Sequence, residues 1–223
     1  MQENLKKNQK IEIVFEGISS ERMSKYIDQA GSNKEKALSL YNENTRTSEL
    51  FYTPLQGFEI LLRNTVHKAI SRKYGENWLF EERFPFEHIQ RKMIQNIIKK
   101  NSLITTPPKL IAELSFGFWT SLFGRKYEEV WRHILRRIFT GYNGVLVRKE
   151  IFSRLNEVRE LTNRIAHHEP IFNRDKSKDL ESIFYLSEHI CPVTKEWMEK
   201  ETQLKLPKDF RLHKNVKSLE KTI

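Results

Sequence analysis

Between Ser48 and about Tyr74 the chain carries its strongest helical pattern. Leu50, Phe51, Leu55, Phe58, Leu61, Leu62, Val66 and Ile70 recur at the three-and-four spacing of a helix with one buried face. Pro54 falls early in this run, where a first turn or a kink accepts it, and Gly75 ends it. The other long patterns are helical too, so the expected fold class is all-α. Hydrophobic residues are 38% of the chain, with 14 Phe and 4 Trp. That is enough for the core of one domain with appendages rather than for a disordered coil.

Residues 1–18 read as an N-terminal extension: a loose polar start, then Ile11-Glu-Ile-Val-Phe15 as a short extended segment. Ser19 ahead of Glu21 is an N-cap signal for a helix through Tyr26, and Asn33 to Tyr41 reads as a second short helix. Trp78 to Pro85 forms an aromatic loop. Phe86 to Lys100 returns to helical spacing, with Arg91, Lys92, Lys99 and Lys100 on its exposed face, either solvated or tracking a phosphate backbone. Thr105-Thr-Pro-Pro108 breaks the chain before a helix from Lys109 to Phe123. Its Phe116, Phe118 and Trp119 would stack bases or fill a core, and helical spacing explains them as core. Trp131 to Phe139 sets Arg132, Arg136 and Arg137 on a basic edge, and Gly141-Tyr-Asn-Gly144 is a turn. After Pro170, a polar loop from Asn173 to Asp179 precedes helices at Leu180–His189 and Val193–Glu201. Residues 204–223 are a basic C-terminal tail, which leaves 19–203 as the helical domain.

Lys+Arg number 39 against 29 Asp+Glu, a net charge of +10. Such an excess points to a polyanionic partner, nucleic acid before an acidic membrane. The one cysteine, Cys191, excludes an intramolecular disulfide and a Cys-based zinc site, and is expected to pack as a small hydrophobe before Pro192. There is no glycine-rich phosphate loop and no metal constellation, so neither a metal nor a cofactor is expected. The N-terminus lacks a signal-peptide run and no stretch is long enough to span a bilayer, which places the chain in the cytoplasm as an expectation.

The stretch from Ile151 to Pro170 is where chemistry would sit. Leu155, Val158, Leu161, Thr162, Ile165 and Ala166 mark one apolar face, and Pro170 stops the helix near His168. At about 100° per residue, Arg159, Asn163 and His167 follow one another along its flank. A histidine beside Asn and Arg suits proton transfer next to a phosphate. The same His167-His168 pair can instead simply cap carbonyls. Earlier in the chain Glu59, Arg63 and His67 form an i, i+4 row, either a surface ion pair beside a satisfied histidine or cations facing the His pair.

Asn163-Arg-Ile-Ala-His-His-Glu-Pro-Ile-Phe172 resembles the signature of the Abi-like (abortive infection) proteins, a branch of the HEPN superfamily. Ala37-Leu-Ser-Leu-Tyr-Asn-Glu-Asn44, the Glu59-x-x-Leu-Arg-Asn64 motif and Glu113 to Phe123 with Tyr127 and Trp131 are similar as well. The resemblance runs from about Ser19 to Trp197. It implies an HEPN-like helical bundle with additional N- and C-terminal helices, usually a homodimer, in which Arg-(four to six residues)-His motifs meet and cleave RNA without metal. In this family the motif commonly reads Arg-Asn-x-x-x-His; Asn163 and His167 fit it, but Thr162 stands where Arg is expected.

That departure bears on the chemistry, because an arginine clamps a phosphate and a threonine hydroxyl does not. Arg159 lies about 12 Å upstream of His167 at 1.5 Å per residue and leans away from it. Arg164 is rotated about 60° from the His167 direction. A crossing of helices in a dimer would bring Arg159 or Arg63 of one copy to His167 of the other. The expected catalytic set is therefore His167, Asn163, His168, Arg159 and Arg63, with Arg164, Arg132, Arg136, Arg137, Lys99 and Lys100 contacting RNA. The function expected first is a metal-independent endoribonuclease of anti-phage defence or toxin-antitoxin type. The alternatives are a catalytically impaired protein that holds a structured small RNA as partner or antitoxin, and a protein-interaction scaffold.

Overall fold

The structure, a computed structural model, describes residues 2–100, 105–142 and 144–203, and all regular elements among these are helical. The basic tail expected from residue 204 onward lies outside the described residues. None of the described helices is long and apolar enough to cross a membrane. The chain divides into two compact units, Met1–Tyr52 with Asn163–Asp175, and Thr53–Thr162 with Lys176–Ile223.

The first unit begins with α1 (Gln2–Ile18) and α2 (Ser20–Gln29). A loose start and a strand-like Ile11–Phe15 were the expectation; a helix is found. Five alternating residues do not decide a strand, whereas Ile11, Phe15 and Ile18 lie at i, i+4 and i+7 and pack on Met23, Tyr26 and Ala37. Ser19 joins the two helices at φ 87° and ψ 148°, backbone nearly reserved for glycine, while its Oγ accepts from the Arg22 N–H at 3.3 Å. Tyr26 is fully buried, with Tyr41 and Phe172 rings 5.3 and 5.2 Å away. Its hydroxyl has no hydrogen-bond partner, and burial pushes its pKa up to about 12.

Helix α3 (Lys34–Tyr74) passes from the first unit into the second. Two helices were expected here, and one continuous helix is found. Nothing between Tyr41 and Ser48 breaks a helix: Thr45, Thr47 and Ser48 turn their hydroxyls back onto the carbonyls of Tyr41, Glu43 and Asn44. Pro54 therefore sits inside the helix, where its missing N–H costs one backbone bond and its buried ring contributes to packing.

The second unit continues with α4 (His88–Lys100), α5 (Pro107–Glu113), α6 (Phe116–Ser121) and α7 (Glu128–His133), followed by a 3₁₀ turn at Leu135–Ile138. The helix expected over Lys109–Phe123 is broken at Leu114 and Ser115, because Leu114 is extended and the Ser115 hydroxyl caps a new helix by accepting from the Phe118 N–H. Phe116, Phe118 and Trp119 are buried, the last two completely. Phe118 and Trp119 join Trp78, Phe84 and Phe86 in one aromatic core, and Phe116 meets Phe58 edge-on at 5.9 Å, so none of the three rings is left for a base.

Helix α8 (Arg148–Ala166) buries Ile151, Leu155, Val158 and Leu161. Ala166, expected on the same face, is exposed, since the apolar stripe has ended one turn earlier. Then come α9 (Lys176–Ile190), which starts inside the expected loop, and α10 (Pro192–Gln203). Cys191 is half-buried rather than packed as a hydrophobe. Its Sγ accepts from the Thr194 hydroxyl at 3.2 Å, and that bond holds the thiol below its ordinary pKa.

Candidate functional site

The expected site residues fall in both units. In the first, α8 ends in a Schellman motif. The His168 N–H donates to Ile165 O at 3.1 Å and the Glu169 N–H to Arg164 O at 2.7 Å. His168 occupies the left-handed position of this motif at φ 55°, where glycine is usual. Asn163, His167 and His168 are all exposed, and the His167 N–H still closes on Asn163 O at 2.9 Å. Asn163 and His167 therefore share one solvent-facing edge of the last helical turn.

The carbonyls left over at this helix end are taken by an arginine. Arg22 Nη1 donates to His167 O at 3.1 Å and to His168 O at 2.9 Å. The cation also sits where the helix dipole is negative. Arg22 has no other side-chain bond among the described residues. Sequence reasoning missed it, and no spacing rule links positions 145 residues apart. The loop beyond is pinned by the buried Asn44, whose Oδ1 accepts from the Ile171 N–H at 2.7 Å. Arg164 is half-buried and spent on this loop: it donates to Pro170 O at 3.1 Å and lies 4.0 Å from Glu169.

Thr162 donates its hydroxyl to Val158 O at 2.9 Å, satisfying itself within α8. In the second unit, Arg159 donates to Asn156 Oδ1 and Arg63 to Asn64 Oδ1, each at 3.3 Å. His67 is a satisfied histidine: Nδ1 accepts from the Trp78 indole N–H at 3.0 Å, and Nε2 faces Glu76 at 3.3 Å. On the same helix, burial raises the Glu59 carboxyl above its ordinary pKa, and Arg63 pulls it partly back.

Of the expected RNA contacts, Arg132 is engaged by Glu128 and Glu129 on its own helix. Lys99 and Lys100 are exposed at the last turn of α4, and Arg136 is exposed on the 3₁₀ turn. Arg137 lines a groove of about 670 Å³ with Lys68, Arg72 and Lys73 of α3 and His133 of α7. Those α3 cations were not anticipated; Lys68 and Arg72 at i, i+4, on the polar side of the long apolar stripe, were the available signal. Among the described residues no three His, Cys, Asp or Glu side chains gather as metal ligands.

No family profile matches this chain, and neither a curated protein nor a solved structure is significantly similar to it.

Proposed function

We propose that the chain is an RNA-binding protein of Abi-like HEPN type, acting in defence or as a toxin, that cleaves RNA without a metal at His167. The observation that supports this most is the exposed His167-His168 pair on a strained, non-glycine helix end, with the Arg22 guanidinium docked on its carbonyls. In the proposed reaction His167 accepts the proton of a ribose 2′-hydroxyl while that oxygen attacks the adjacent phosphorus. The bond from phosphorus to the 5′-oxygen breaks, that oxygen leaves with a proton, and a 2′,3′-cyclic phosphate remains. Arg22 supplies the positive charge that Thr162 does not, Asn163 orients the phosphate or the imidazole, and His168 is the second proton carrier. Arg159 or Arg63 of a second copy would add charge if the protein acts as a homodimer. An antitoxin, RNA or protein, would keep such an activity in check.

One observation favours a second reading, an RNA-binding protein without turnover. The Thr162 hydroxyl is committed to Val158 O and offers a phosphate nothing. The test is incubation of purified protein with total RNA in EDTA, comparing wild type, His167→Ala, Arg22→Ala and Thr162→Arg. Cleavage by the wild type that both alanine variants lose supports the first reading. Cleavage by Thr162→Arg alone supports the second.

A further inference from the structure

We infer that the groove between α3 and the 3₁₀ turn after α7 is a binding site for the phosphodiester backbone of a single RNA strand, a step that rests on the RNA reading above. Lys68, Arg72, Lys73, His133 and Arg137 converge on it, and no Asp or Glu is among the residues lining it. Lys68, Arg72, Lys73 and Arg137 are exposed, and none is paired with a carboxylate among the described residues. Lys73 leans over the Tyr74 ring at 5.7 Å. His133 faces Glu129, 3.3 Å from its Nε2, an acid it shares with Arg132. Unpaired like charges gathered in a concavity repel one another, and a polyanion relieves that cost.

A groove lined by cations suits one strand, because single strands are held by positively charged grooves that track the backbone. The floor is aliphatic, with Ile134 and Ile138 buried beneath the cations, and no Phe, Tyr or Trp lines the groove. Bases find no stacking platform there, so the site reads phosphates and tolerates any sequence. Asn64, Thr65 and Thr140 at the walls add neutral hydrogen-bonding groups suited to phosphate or ribose oxygens.

The experiment is fluorescence anisotropy of a labelled, unstructured 12-nucleotide RNA against the full-length protein across a salt series. The Lys68→Glu/Arg72→Glu double variant is compared with Lys109→Glu/Arg125→Glu, which makes the same change in net charge at exposed positions outside the groove. Circular dichroism verifies that both stay folded, and Arg137→Gln repeats the test with a milder change. The groove variant is expected to lose at least about tenfold in affinity and to flatten the log–log salt slope by about 1.4, at about 0.7 per phosphate contact on a single strand. The control is expected to keep the wild-type slope. Equal losses in the two double variants, or none in either, would overturn the groove while leaving the RNA reading intact. A wild type that does not bind the RNA at all would overturn both.

Discussion

Replacing His168 by glycine should stabilise the protein, because the helix end imposes a backbone that histidine tolerates poorly. At φ 55° the Cβ of an L-residue crowds the following carbonyl, at a cost of about 1–2 kcal/mol. Glycine removes that cost but has more freedom to lose on folding, which returns about 0.5–1 kcal/mol. The net expectation is a gain of about 0.5–1 kcal/mol for His168→Gly over His168→Ala. The alanine variant isolates the effect, since it deletes the exposed imidazole while keeping Cβ, and should lie within about 0.5 kcal/mol of wild type. Urea unfolding at constant m-value reads the difference as a shift in midpoint, and thermal unfolding reads it as about 1–4 °C in a chain of this size. A glycine variant no more stable than the alanine variant would refute the left-handed cap. A more stable glycine variant with weaker RNA cleavage would mean that histidine is kept there for its ring and against the preference of the backbone.

Tyr26→Phe should be neutral or stabilising by up to about 1 kcal/mol in urea unfolding, because it deletes a buried hydroxyl without a partner. Gly57→Ala should lower stability by about 1–2 kcal/mol despite alanine's better helix propensity, since the new Cβ would stand 2.5 Å from Met198 Sδ and 3.2 Å from the Trp197 ring. Glu59 has a folded pKa raised by burial, so it binds its proton more tightly folded than unfolded. Its protonated form supports the fold in acid, and that support is lost as pH rises through the raised pKa. Glu59→Gln should therefore exceed wild type in thermal stability at neutral pH, with the gap closing as pH falls towards the ordinary carboxylate range.

Much of the fold was legible in the apolar spacing. The stripe from Phe51 to Ile70 and that from Leu155 to Leu161 are both buried as the three-and-four pattern requires. What misled was local chemistry that tertiary packing overrides. Pro54 reads as a first-turn or kink residue near the start of a helix yet lies in the middle of a 41-residue one. Ser115 reads as one more helical residue yet caps a new helix, because Leu114 turns into the core. At the candidate site the residues themselves were visible: Asn163, His167 and His168 are exposed at a helix end as the pattern and Pro170 imply. The strain at His168 was not visible, since nothing in a His-His dipeptide announces a left-handed backbone. Nor was Arg22, because a guanidinium docking on distant carbonyls leaves no periodicity to read.

The proposed function is tested most directly by analysing the ends of the fragments that the purified protein leaves on a defined oligoribonucleotide in EDTA. Mass spectrometry should find 2′,3′-cyclic phosphate and 5′-hydroxyl ends, absent with His167→Ala and absent where a single 2′-deoxy nucleotide replaces the one before the scissile phosphate. Cleavage that survives the 2′-deoxy substitution or the His167→Ala change, or RNA left intact by the wild type, would contradict catalysis at His167.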